Sequence, residues 1–505
     1  MATMISIKRR FARLGGLAAL GLLQILAGPA QAEIIPITLL QFNDVYEITP
    51  SGDGQSGGLA RVATLRRRLL ADNPHTYTVL AGDYLSPSAL GTARVNGERL
   101  AGRQMVAALN ALGLDFATLG NHEFDLSEEQ FRQRLAESRF TWVSSNVVDR
   151  DGKPFAGVAP AQVLTLTGAE GGQVRLGLLG LTGPYNRVAY AGYQDPIAAA
   201  QTQMQTLKAD VWIALTHLAL AEDIRLAEAA PAIRLILGGH EHENIQVWRG
   251  DALTPILKAD ANVRTVYVHQ LRYDTATGRL TSHSQLQPIT AELPTDPEMD
   301  RLVAEWVERG FEGFRAEGLQ PEARVATVRV ALDGLEASVR NQATDLTRLI
   351  AQALLREAPE AQLALYNSGS IRLDDVIRPG PVTQYDVIRI LPFGGRILVV
   401  DMEGALLQRV LDQGVANRGT GGYLHTANVD RHPDGRTWQI QGQPLAPPRR
   451  YRVALNDFLL TGGEIGLDFL SPRHPGLTVI AQKRDIRFAL IEQLRQANPE
   501  PAAAP

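Results

Sequence analysis

The residues able to do chemistry stand where apolar runs stop. "QFND" closes one run at Asp44 and "LAGD" closes another at Asp83. "TLGNHEFD", "ALTH" and "ILGGHEHE" close three more, with Asn121, His122 and Asp125, then His217, then His240 and His242. Carboxylate, carboxamide and imidazole donors without sulfur suit zinc, manganese, iron, cobalt or nickel. About seven such groups exceed what one four-coordinate ion needs, so two ions sharing an aspartate is the economical reading. Ions held roughly 3.5–4 Å apart suit in-line displacement at phosphorus. Side chains at i and i+2 of an extended segment point the same way, so Asp44 with Tyr46, and His240 with His242, are expected to face one site. A single Asp or His at a strand end is more often a cap or a turn residue, but five such ends in one chain argue for a set. Asn121 keeps a turn role as an alternative, and Asp125 keeps N-capping of the helix "LSEEQFRQRL".

Several elements must hold these groups. "IPITLLQF", "TYTVLAGD", "VRLGLLGLTG", "VWIALTH" and "IRLILGGHEHE" read as strands. "GLARVATLRRRLLAD" and "GRQMVAALNALGL" between them carry helical periodicity. Residues 33–290 therefore form an α/β unit, and ligands of such sheets sit beyond the carboxyl ends of strands. Residues 291–321 read as a charged amphipathic connecting helix, opened by Pro294 and Asp296. Residues 322–493 form a second, smaller α/β unit, and 494–505 a disordered tail. Lys8, Arg9 and Arg10, a short apolar stretch and "AQA" mark 1–32 as a signal peptide cleaved near Ala32. The apolar stretch is short for a membrane span. A periplasmic or secreted protein with no stable membrane association is expected.

A chain of 505 residues is too long for one core. A net charge of -4 gives no general attraction to nucleic acid, so none is expected as partner and anions must be met by local sites. The absence of cysteine excludes disulfides, thiolate metal sites and cysteine nucleophiles. Neither a phosphate-cradling G-x-x-x-x-G-K-[ST] loop nor an H-E-x-x-H zinc motif occurs.

The motifs "GD" (82–83), "GNHEFD" (120–125), "TH" (216–217) and "GGHEH" (238–242), in this order, resemble the calcineurin-like metallophosphatases. "YNSGSIR" (366–372), "LPFGG" (391–395) and "NDFLLTGGE" (456–464) resemble the C-terminal domain of the periplasmic and surface 5'-nucleotidases, the UDP-sugar hydrolase/5'-nucleotidase type. The resemblance implies a metallophosphatase β-sandwich flanked by helices, joined by a linker helix to a smaller α/β nucleotide-binding domain. It implies two divalent ions (Zn, Mn, Co, Ni or Fe). Asp44, a bridging Asp83 and His242 would hold one, and Asp83, Asn121, His217 and His240 the other. His122, oriented by Asp125, would face the phosphate as a catalytic group, and coordination would lower the pKa of water toward neutrality. Phe393 and Phe458 would sandwich a nucleobase, each contributing about 1–3 kcal/mol of stacking. Asn367 and Arg372 would contact base and phosphate, Arg340 aligns less securely with a further phosphate contact, and Glu464 would accept ribose hydroxyls.

The chain departs from the family pattern at three places. Asp-x-His is usual where this chain has Asp44-Val45-Tyr46. Tyr46 is then a phenolate ligand favouring a harder ion such as iron(III), or a lining residue with water in place of the imidazole, or the mark of a decayed site. Glu47, as an i+3 residue, points off the Asp44 face. Glu464 stands where a shorter aspartate is usual, and Ser370 where a glycine is usual. Hydrolysis of nucleoside 5'-monophosphates to nucleoside and phosphate is expected. The rivals are a 2',3'-cyclic nucleotide phosphodiesterase/3'-nucleotidase, a UDP-sugar or dinucleotide pyrophosphatase, and a catalytically weak nucleotide-binding protein.

Overall fold

The computed structural model describes residues 32–499 apart from 52–53, 433–434 and 436. The predicted signal peptide, Ala32 excepted, and residues 500–505 lie outside the described residues.

Alternation along the first strand, Ile34–Phe42, sets up the larger unit. Ile35, Ile37 and Leu39 point into one core with Leu176, Leu178, Ile213, Leu215, Leu235 and Leu237. Leu40 and Phe42 point into another with Leu59, Val62, Met105 and Leu109 of two covering helices, Leu59–Asp72 and Arg103–Leu112. A strand buried on both faces reads as a continuous apolar run, which is why no polar alternation marks it. Each large side chain so buried contributes about 1.5–3 kcal/mol.

The first core lies between two sheets. One has seven strands, in spatial order 158–159, 141–143, 116–118, 76–81, 34–42, 265–274 and 279–288. The other has six, in order 161–167, 173–182, 211–217, 233–238, 254–258 and 245–249. Helices Pro196–Thr206 and Leu220–Ala229 cover its outer face through Ala200, Leu226 and Ala227. This is the expected β-sandwich flanked by helices.

The connecting helix runs Pro297–Ala316. The Asp296 carboxylate accepts from the Glu298 and Met299 backbone N–H groups at 3.0 and 2.9 Å, and Pro297 occupies the first turn, where its missing N–H costs nothing. Met299, Val303, Trp306 and Phe314 bury one stripe in a hydrophobic cluster that also contains Leu59 and Met105 on one side and Leu346, Ile350 and Leu490 on the other. One continuous core therefore ties the sandwich to the smaller unit.

The smaller unit is built on a mixed five-stranded sheet, in order 424–427, 363–367, 450–456, 396–403 and 477–485. Helices Asp345–Glu357 and Ile486–Ala497 pack on one face, and Gly404–Ala416 on the other. The last helix continues past residue 493, where the tail was expected to begin, because Leu494 is fully buried beside Leu490 and Ile491. No helix among the described residues is long and apolar enough to cross a membrane.

Candidate active site

Strands 34–42, 76–81 and 116–118 run parallel in one sheet, and 211–217 and 233–238 run parallel in the other. Their carboxyl ends meet at one edge of the sandwich. The chain turns sharply there: Asp44, Asp83 and His240 take positive φ values of 51°, 58° and 81°. Such backbone is uncommon outside glycine and clusters at functional sites. The expectation of extended i, i+2 pairs is therefore corrected: the side chains still converge, but left-handed turns aim them. Close approach explains two glycines of the motifs. A Cβ on Gly120 would lie 2.1 Å from Asp83 Oδ1, and one on Gly239 would lie 2.4 Å from the Ala81 carbonyl oxygen.

The donors of Asp44, Asp83 and His217 lie within 4.8 Å of one another, and all three residues are buried. His217 Nδ1 donates to the Ala81 carbonyl at 2.8 Å, since a carbonyl only accepts. That orients the ring and turns Nε2 toward Asp83 Oδ2, 3.1 Å away. Among the described residues, His217 Nε2 meets only the Asp83 carboxylate and Asn121 Oδ1 is buried without a hydrogen-bond partner. Buried polar atoms rarely lack one, and both can donate a lone pair to a cation. The residues thus fit divalent metal ions, the cofactors of this class of site. The His240 backbone N–H donates to Asp44 Oδ2 at 2.9 Å, and its ring stacks on Tyr185 with centroids 4.2 Å apart. His242 Nε2 lies 3.5 Å from Asp44 Oδ1.

The Tyr46 phenol reaches into this group. Its oxygen is 3.4 Å from Asp44 Oδ1, 3.2 Å from Asp83 Oδ2 and 3.1 Å from His242 Nε2. Burial, then the Asp83 and Asp44 carboxylates, push its pKa well above the usual phenol range. Glu47 turns away: its carboxylate accepts from the Ala89 N–H at 2.9 Å and meets the Tyr385 hydroxyl at 3.4 Å.

The charges are strongly coupled. Burial opposes charge on His217, yet Asp83 and Asp44 outweigh it and raise the ring to about 9. Burial likewise opposes charge on His242, but Glu336 and Asp374 raise it to about 10. His240 is pushed down to about 2 by burial and by the His217 charge. Asp83 is held below the carboxylate range by His217 and His122, against burial.

His122 and Asp125 share the short turn His122–Asp125. Their Nδ1 and Oδ2 atoms are 2.7 Å apart, and the His122 N–H donates to Asp83 Oδ1 at 2.8 Å. The following helix is capped by Ser127, not by Asp125. Asp125 also accepts from Ser86 Oγ at 3.0 Å and from Asn186 Nδ2 at 2.8 Å. Burial works against the imidazolium, but Asp125 and Asp83 raise its pKa.

The smaller unit faces this edge. Arg372 lines a small cavity with Tyr46, His242 and Asp374, and its guanidinium lies 5.6 Å from the Phe393 ring centroid. Phe393 and Phe458 are 42% and 43% exposed, which removes core packing as their reason for being there. Phe393 lines a cavity with Ser86 and Asp125. Arg340 pairs with Glu336 at 2.5 Å and lines a cleft of ≈ 360 Å³ beside His240 and His242. Asn367 and Glu464 are buried and bonded to each other at 2.7 Å, while Asn367 Oδ1 accepts from Ser370 and Asn456. The second Glu464 oxygen accepts from the Ile465 N–H.

Sequence reasoning missed Glu123, whose buried carboxylate accepts the N–H groups of Asp83, Tyr84, Leu85 and Gly120. An acid beside the His of "GNHEFD" with no assigned role was the available signal. It missed Tyr185 behind His240, and it missed Asp374, whose Oδ2 lies 2.9 Å from His242 Nδ1. Nothing in their local sequence marks either.

A family model described as calcineurin-like phosphoesterase matches residues 37–244, and one for the 5'-nucleotidase C-terminal domain matches 324–470. The chain belongs to the 5'-nucleotidase family of metallophosphoesterase hydrolases. The chain is 26% identical to protein UshA of Yersinia enterocolitica, covering 85% of this chain and 86% of that one. It is 24% identical to the 5'-nucleotidase of Bos taurus, covering 85% and 83%. The structure of a 5'-nucleotidase precursor from Thermus thermophilus shares the fold, with a TM-score of 0.74 at 23% identity over 92% of this chain and 97% of that one.

Proposed function

We propose that this protein hydrolyses nucleoside 5'-monophosphates to nucleoside and phosphate, in the periplasm or outside the cell. The single observation that carries the reading is the juxtaposition of two unlike halves. A buried nitrogen and oxygen donor set (Asp44, Asp83, His217) stands against Arg372 and the exposed Phe393 of the smaller unit. We take residues 33–290, 291–321 and 322–493 as the metallophosphatase unit, linker and substrate-binding unit.

Asp44, Asp83, His242 and Tyr46 would hold one divalent ion, and Asp83, Asn121, His217 and His240 a second. Bound there, the ions supply Lewis acidity to phosphoryl oxygens and lower the pKa of water. The chain's own groups do the rest. Arg372 binds phosphate oxygens, for which its planar fork is suited. His122, kept protonated by Asp125, stabilises the charge on the phosphoryl group and gives its proton to the leaving 5'-oxygen. Phe393 and Phe458 stack on the base, and Asn367, Arg340 and Glu464 complete the nucleoside and phosphate contacts. Tyr46 oxygen lies among three donor atoms, which supports it as a ligand in place of the usual imidazole.

The test is metal content and AMP hydrolysis on one purified sample, with Tyr46→Phe and Tyr46→His beside it. The expected result is about two ions per chain, phosphate release, one weakened ion in Tyr46→Phe and both retained in Tyr46→His. A metal-poor, inert wild type that gains both properties as Tyr46→His would replace this reading with a nucleotide-binding protein.

A further inference from the structure

Three ring nitrogens of the site are oriented through hydrogen bonds, and one of them stands apart. His217 Nδ1 is held by the Ala81 carbonyl, and His122 Nδ1 by Asp125, both within the sandwich. His242 Nδ1 is held from the other unit, at 2.9 Å from Asp374 Oδ2. The second carboxylate near that nitrogen, Glu336 at 3.8 Å, also belongs to the smaller unit.

Asp374 is set firmly for this contact. It is 8% exposed and takes a left-handed backbone, φ 41°. Its Oδ1 accepts from the Glu336 N–H at 2.9 Å. Arg264 of the sandwich donates to the Asp374 carbonyl and to the His242 carbonyl, each at 3.2 Å, and so clamps the two backbones together. A non-glycine residue in this conformation is strained and persists only where its surroundings over-determine it.

We propose that Asp374 is a positioning residue for His242. The ion position built on His242 is then complete only when the smaller unit is seated against the sandwich. The position built on Asn121, His217 and His240 draws on the sandwich alone. A carboxylate on the far nitrogen of a ligating imidazole fixes the ring and raises its basicity, and its loss typically costs 10–100-fold in metal affinity. The smaller unit thereby contributes to the metal centre as well as to substrate recognition. This rests on the two-metal reading above.

The test is calorimetric titration of the metal-stripped protein with Mn²⁺ and with Zn²⁺, comparing wild type, Asp374→Ala, Asp374→Asn and Glu336→Gln. Wild type is expected to take two ions. Asp374→Ala is expected to keep one at unchanged affinity and to bind the other about 10–100-fold more weakly. Asp374→Asn recovers part of that loss, since its carboxamide oxygen still accepts from Nδ1–H, and Glu336→Gln loses less than Asp374→Ala. If Asp374→Ala does not fold, the isosteric Asn variant reads the same constant, with a smaller loss confined to one ion. Two unchanged affinities in the Asp374 variants overturn the inference and leave the hydrolase reading standing. Equal weakening of both ions also overturns it, because that marks a general defect. A wild type that takes up no ion overturns both.

Discussion

The metal-donor edge of the sandwich and the recognition face of the smaller unit are built on opposite principles. Asp44, Asp83 and His217 are at most 1% exposed, whereas Phe393 and Phe458 stand 42% and 43% open. The donors are locked by the backbone: left-handed turns at Asp44 and Asp83, the Ala81 carbonyl on His217, and the His240 N–H on Asp44. Preorganised charge is most effective where it does not reorganise during reaction. The two aromatic rings are left exposed, as the stacking proposed for them requires. Damage to the first region should therefore remove turnover on any phosphate ester, and loss of either ring should cost only preference for the base.

The sharpest break is Asp83→Asn. It removes the carboxylate that faces Tyr46, His122 and His217 together, so activity should fall by more than the ~100-fold upper range for losing a partner of a metal ligand. AMP and a small aryl phosphate should lose equally, while adenosine binding by calorimetry persists. Unchanged turnover on either ester would sink the assignment of Asp83 to both ions. Next is Glu123→Gln. Burial and then Asp83 raise this carboxyl to about 7, yet it still gathers four backbone N–H groups around the Asp83 turn. An amide nitrogen turned toward those donors leaves at least one unpaired, at about 1–3 kcal/mol. Urea unfolding should show that loss, and a variant as stable as wild type would mean the turn holds itself.

On the open face, Phe458→Ala removes stacking of about 1–3 kcal/mol, which is about 5-fold to about 150-fold in KM for nucleotides. Small aryl phosphates should be spared. Equal losses on both substrates would erase the distinction between the two regions.

The same contrast explains what the sequence discloses. The donors are legible because Asp, Asn and His at the ends of apolar runs have few other reasons to recur in one chain. The two-sheet arrangement comes only through the family resemblance, because a strand buried on both faces, such as Ile34–Phe42, reads the same in an open sheet or a sandwich. Asp374 is invisible because its partner His242 lies 132 positions away in another unit, and neither local pattern implies the other. Tyr46 keeps three readings in the sequence, because its neighbours Asp83 and His242 lie 37 and 196 positions away. Asp125 has two roles open to it in the sequence, and the geometry decides between them: Ser127 caps the helix while Asp125 faces His122.

The effect with the least reach into turnover lies between the sheets and separates fold from site. His269 is fully buried, bonded through Nε2 to Gln41 Oε1 and through Nδ1 to Ser284 Oγ, both at 2.8 Å. Gln41 in turn donates to the Gly238 and Leu257 carbonyls, just behind the His240 turn. Burial lowers the ring from 6.5 to about 3. The unfolded chain therefore takes up a proton below about 6.5 that the folded protein refuses until about 3. Stability should fall by up to about 1.4 kcal/mol per pH unit across that window. Carboxylates titrate there too, so the measurement is the difference between wild type and His269→Gln in urea unfolding at about pH 7 and about pH 5. The variant should lose less on acidification. An identical acid limb in both proteins would assign the whole pH dependence to other groups and free His269 of any part in it.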